Sequence, residues 1–128
     1  MVIPNFVQKA LAGEPLVVHG EGDQSRCFCH VADVVRGLTG LMNCNEAHGQ
    51  VVNLGSEEEI SIRELAERII QQTKSKSEIE RVSYESVYGE GFEDMQRRVP
   101  SIEKANRLIG WSPEKSLNDI LADVAATV

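Results

Sequence analysis

The chain has 128 residues, 41% of them hydrophobic and 26% charged, with a formal charge of −7. That length is one domain with room for a real core, and the proportions are ordinary for a globular chain. The acidic balance argues against non-specific nucleic-acid binding, which depends on Lys and Arg neutralising phosphates, although local arginines can still form an anion site. No apolar run approaches the ~18 residues of a membrane span, and the N-terminus lacks a signal-peptide pattern. Cys27, Cys29 and Cys44, with His19, His30 and His48, show no metal-ligand spacing. The expectation is a reduced, cytoplasmic chain without a metal, a membrane or a nucleic-acid partner.

Pro4 opens a helical pattern in which Phe6, Val7, Ala10 and Leu11 recur, closed by Gly13 and Pro15. Leu16, Val17 and Val18 form a short buried strand that leads into a glycine-rich loop. Cys27 to Val31 reads as the next strand. A helix over 32–43 follows, with Val31, Val34, Val35, Leu38, Leu41 and Met42 as its apolar stripe. Asp33 sits in its first turn, where a negative charge meets the positive end of the helix dipole.

Val51 to Leu54 reads as a strand ended by Gly55. Ser61 and Glu64 then form an S-x-x-E capping box, Ile60 and Leu65 the hydrophobic staple, and Ile62, Leu65, Ala66, Ile69 and Ile70 the buried face. Ile79 to Tyr84 alternates like a strand. Residues 85–100 form a long loop without periodicity, a kind of segment that is more often functional than idle. Ser101 caps a helix through Ile109, Gly110 stops it, Trp111 belongs to the core, and a last helix starts at Ser116. The sum is an α/β chain with short strands and about five helices.

The chemistry concentrates in HGEGDQSRCFCHVADVV, from His19 to Val35. Gly20 and Gly22 let the backbone approach a ligand closely. The planar fork of Arg26 suits two oxygens of a phosphate. A nucleotide-diphosphate loop fits these residues, and a plain glycine-rich turn between two strands fits the spacing equally.

The string G-x-G-x-Q-x-R-x-F-x-x-V-x-D from Gly20 to Asp33 is followed by N-L-G, R-x-P and G-W-x-P. Together they resemble the C-terminal half of extended short-chain dehydrogenases acting on nucleotide sugars. That superfamily holds UDP-glucuronate decarboxylases, UDP-glucose 4-epimerases and dTDP-glucose 4,6-dehydratases. The stretch YGEGFEDMQRRVPS is most similar to the decarboxylases, which carry Y-G-x-G-aromatic-x-D just before R-x-P-S.

The resemblance implies that residues 1–128 are the small mixed α/β C-terminal domain of this Rossmann-type family, with a UDP-sugar as partner. It implies NAD as cofactor of the full-length enzyme. The chain has neither G-x-x-G-x-x-G nor Tyr-x-x-x-Lys, so the Rossmann cofactor half is expected to be absent. Alone, the chain is expected neither to hold NAD tightly nor to turn over. In a full-length decarboxylase, NAD would oxidise C4 of UDP-glucuronate, and the β-keto acid would lose CO2.

By the same resemblance Arg26 holds the diphosphate. The segment Val17 to Arg26, with Val17, His19, Gly20, Gly22 and Gln24, wraps the uridine and ribose. Arg98 matches a residue given the role of proton donor in the decarboxylases. Its pKa, above ~12, makes electrostatic stabilisation the easier role. Arg97 supplies a second charge, and Arg26 with Arg98 would balance a bound diphosphate. Phe92 stands where relatives have a tyrosine, so it can pack but not donate. Asn5 and Phe6 border the sugar pocket or simply serve the first helix. The plainer readings are a strand-edge salt bridge for Arg26 and an exposed basic pair for Arg97 and Arg98. Two whole-chain alternatives remain: a catalytically inactive nucleotide-binding module, or a chain that self-associates through an apolar face normally covered by the missing Rossmann half.

Overall fold

The computed structural model describes residues 1–83 and 94–128. They form two compact units. One comprises Met1–Arg26, Ile60–Arg97 and Leu121–Val128, the other Cys27–Glu59 and Arg98–Ile120.

In the first unit, helix α1 (Val2–Ala12) buries Ile3, Phe6, Val7 and Ala10, one face at helical spacing. Gly13 ends it in the left-handed conformation, and the Gly13 and Glu14 N–H groups donate to the Ala10 and Lys9 carbonyls. Strand β1 (Leu16–His19) pairs in parallel with β4 (Ile79–Val82), in register from Leu16 with Ile79 to His19 with Val82. Alternation along β1 buries Leu16 and Val18 and leaves Val17 and His19 half-buried. Strands β2 (Ser25–Cys27) and β3 (Glu59–Ser61) form a second two-stranded sheet.

Helix α3 (Ile62–Thr73) packs against α1 and buries Ile62, Leu65, Ala66 and Ile69. Its capping box is complete. The Glu64 N–H donates to Ser61 Oγ, and the Ser61 N–H donates to Glu64 Oε2. Strand β4 ends at Val82, short of the expected Tyr84, which lies outside the described residues.

In the second unit, helix α2 (Val31–Met42) packs against α4 (Glu103–Ile109), with Ala105 and Trp111 buried. Helix α5 (Leu117–Thr127) begins here, capped reciprocally by Ser116 and Asp119, with Leu117 and Ile120 buried.

Four expectations are corrected. The strand read at Cys27 to Val31 lies at Ser25–Cys27, because α2 already begins at Val31 and the His30 side chain caps it, Nδ1 accepting from the Ala32 N–H. Val51 to Leu54 joins no ladder among the described residues. Ser101 does not cap α4, whose N-cap is Ile102 without a side-chain bond. The apolar stripe of α2 is not its buried side: Val31 is 70% exposed, Val35 55%, Leu38 51% and Met42 78%. Asp33 and Gly37 are buried instead. A Cβ on Gly37 would lie 2.8 Å from Leu54 Cδ1 and 2.9 Å from Trp111 Nε1, so a residue without a side chain is what lets the helix approach there.

Candidate functional site

In the first unit the loop after β1 turns through Gly20 and Gly22, both at positive φ. The Gly20 N–H donates to the Val82 carbonyl. Gly22 is buried, and a Cβ there would lie 2.7 Å from Val18 Cγ1. The carbonyls of Gly22 and Gln24 accept the N–H groups of Arg63 and Ile62, so the turn satisfies two amides in the first turn of α3. Buried Gln24 donates through Nε2 to the His19 carbonyl, 3.3 Å away. Val17, His19, Gly20, Gly22 and Gln24 therefore lie on one continuous strand-and-turn segment, with Gly22 and Gln24 turned inward.

Arg26 follows on β2. Its Nη2 donates to both carboxylate oxygens of Asp94 at 2.8 Å, and its Nη1 to the Ser25 and Met95 carbonyls at 2.7 Å. The side chain is only 13% exposed, that of Asp94 31%. The Ser25 N–H donates to the Gln96 carbonyl, and Ser25 and Arg97 form a parallel bridge. This brings exposed Arg97 to the β2 edge. Phe92 lies outside the described residues.

Arg98 belongs to the second unit. It lines a cleft of about 390 Å³ with Cys27, Cys29, Asn53, Leu54, Gly55, Ser56, Val99 and Pro100. Burial, and then the neighbouring Asp33 charge, push the Cys29 thiol above its usual pKa, so it stays protonated at neutral pH. Cys27, Cys29 and Cys44 form no disulfide. Asn5 is exposed and Phe6 is core in α1.

Several of these groups carried no role in the sequence reading. Asp94 stood inside the quoted Y-G-x-G-aromatic-x-D run without one. Its partner is 68 positions away, which no local pattern reports. Cys27, Cys29 and Ser56 share Arg98's cleft through the same kind of distant approach.

The fold matches solved structures closely. An epimerase from Methanothermobacter thermautotrophicus superposes with a TM-score of 0.88 at 31% identity, over 98% of this chain and 36% of that one. UDP-glucuronic acid 4-epimerase from Bacillus cereus, in complex with UDP-glucuronic acid and NAD, gives 0.84 at 25% identity, over 99% of this chain and 40% of that one. These define the class as the extended short-chain dehydrogenase fold. The model of the GDP-mannose 4,6 dehydratase family matches residues 1–124, and the chain belongs to that family. Its relatives include a UDP-N-acetyl-alpha-D-glucosaminuronate decarboxylase from Bacillus cytotoxicus, 41% identical over 90% of this chain and 36% of the relative. UDP-glucuronic acid decarboxylase 1 from Xenopus tropicalis is 43% identical over 92% of this chain and 26% of the relative. The chain thus spans between 26% and 40% of the length of these proteins.

Proposed function

We propose that this chain is the nucleotide-sugar-binding portion of a UDP-glucuronate decarboxylase-like enzyme, located in the cytoplasm. The supporting observation is its 41–43% identity with two decarboxylases along nine-tenths of its length. In this reading Arg26 meets the diphosphate, and the turn from Val17 to Gln24 borders the uridine and ribose, with Phe92 and Arg97 completing the ligand's surroundings. Arg98 acts on the sugar. Loss of CO2 from a β-keto acid leaves an enolate, and a guanidinium beside it stabilises that charge without giving up a proton. A UDP-glucose 4-epimerase or a dTDP-glucose 4,6-dehydratase of the same family is the alternative.

NAD belongs to the proposal for the longer protein. The residues of this chain do not fit it. Its glycine turn runs into strand β2 and not into a helix N-terminus, where a dinucleotide pyrophosphate sits.

Titration of the chain with UDP, followed by amide NMR, tests the binding reading. Saturable shifts at 17–26 and 94–98 are expected; a dispersed spectrum that UDP leaves unchanged would reject it. In a longer protein carrying this segment, UDP-glucuronate is expected to release CO2. A C4 epimer that keeps its carboxylate would assign an epimerase instead.

The exposed stripe Val31, Val35, Leu38 and Met42 supports a covering partner for α2. The proposed occupant is the Rossmann half of the longer protein, with self-association in its absence.

A further inference from the structure

We propose that Asp94 is a positioning residue for Arg26, holding the guanidinium in the orientation in which it receives a pyrophosphate. The inference rests on the nucleotide-sugar reading and assigns a residue that reading leaves without a role.

The geometry carries it. Three groups engage the two terminal nitrogens of Arg26: the Asp94 carboxylate, with both oxygens at 2.8 Å, and the carbonyls of Ser25 and Met95, at 2.7 Å. A planar group held from three sides has one orientation, and its ordering is already complete before a ligand arrives. The carbonyls belong to a fastening that includes the Ser25 bond to Gln96 and the bridge to Arg97. A ligand that displaced Asp94 would still find Nη1 held on both carbonyls, with no swing of the side chain to gain. Half-exposure would let solvent compete for the pair, but Arg26 is 13% exposed and Asp94 31%, so the orientation is kept from a protected position. The opposite idea, that Asp94 is a competitor a phosphate must expel, predicts tighter UDP binding by the variant and loss of the Asp94 pairing at saturation.

The test is an NMR titration of the full chain with UDP and, separately, with uridine, in the wild type and in Asp94→Asn. Asn keeps the size and one acceptor but loses the charge. UDP is expected to bind the variant about tenfold more weakly, the scale of one charge-assisted bond, while uridine, which has no phosphate, binds as before. Equal or tighter UDP binding by Asp94→Asn would overturn the proposal, as would an equal loss for UDP and uridine, which marks general loosening. A second measurement needs no variant. The Arg26 side-chain nitrogen signals of the wild type are expected to keep their Asp94-bonded pattern at UDP saturation, and its collapse on binding would assign the competitor role. If the wild type binds no UDP, the nucleotide reading itself falls; UDP binding with an indifferent Asp94 leaves that reading standing and sinks this inference alone.

Discussion

Asp33 shows how much one side chain can organise. It is 2% exposed, and its Oδ2 accepts from the N–H groups of Glu114 and Lys115 while Arg36 donates to Oδ1. Its carbonyl accepts from Trp111 Nε1, and Arg36 lies over the Trp111 ring at 5.8 Å. Burial alone would raise the Asp33 pKa. The backbone donor at Lys115, Arg36 and the donor at Glu114 overcome it and hold the carboxyl below its usual value. A carboxylate with a depressed folded pKa contributes stability that is complete above its unfolded pKa, about 3.9, and is lost as pH falls through the folded value. Asp33→Asn is therefore expected to cost about 2–3 kcal/mol at pH 7 in urea unfolding. The same variant should show a flatter stability profile below about pH 4, and a wild-type-like acid limb would contradict the assignment. Gly37→Ala is expected to cost about 1–3 kcal/mol by overpacking against Leu54 and Trp111, read in the same unfolding experiment.

At the scale of elements, the ends decide more than the middles. The cap at Ser61 is the kind of pattern a local reading finds, because Ser61 and Glu64 are three residues apart. Ser61→Ala is expected to lower stability by about 1 kcal/mol, visible as a lower Tm; an unchanged Tm would mean α3 is held by its core face alone. The His30 cap has no such signature, because its imidazole substitutes for the usual Ser, Thr, Asp or Asn. With that cap at His30, α2 begins at Val31 and β2 ends at Cys27. Val51 to Leu54 joins no ladder among the described residues for another reason: an apolar run makes a strand only where a neighbour offers its backbone.

At the scale of the molecule, the stripe on α2 departs from what a self-sufficient domain would show. Four of its apolar residues, Val31, Val35, Leu38 and Met42, recur at helical spacing yet remain exposed, while Asp33 and Gly37 are buried within the helix's own unit. Leu38→Glu is expected to leave stability within about 0.5 kcal/mol of wild type. It should also abolish concentration-dependent association in light scattering; a wild type that is monomeric at all concentrations would remove the motive for the change. The match with solved epimerases over nearly the whole chain shows that the fold is shared with much longer proteins.

By itself the sequence determined what short-range physics controls. Periodicity set α1 and α3, Gly13 set the end of α1, and the S-x-x-E box set the start of α3, since partners within a turn or two of one another need no knowledge of the rest. Family membership was likewise legible, because G-x-G-x-Q-x-R and the later N-L-G, R-x-P and G-W-x-P keep their spacing along the chain. Only the tertiary structure decided which side of α2 is buried, because that depends on where Leu54 and Trp111 come to lie. It alone engaged Arg26 with Asp94, 68 residues away. A guanidinium is satisfied by whichever acceptors the fold brings within 3 Å, and residues distant in sequence meet only when the chain has folded.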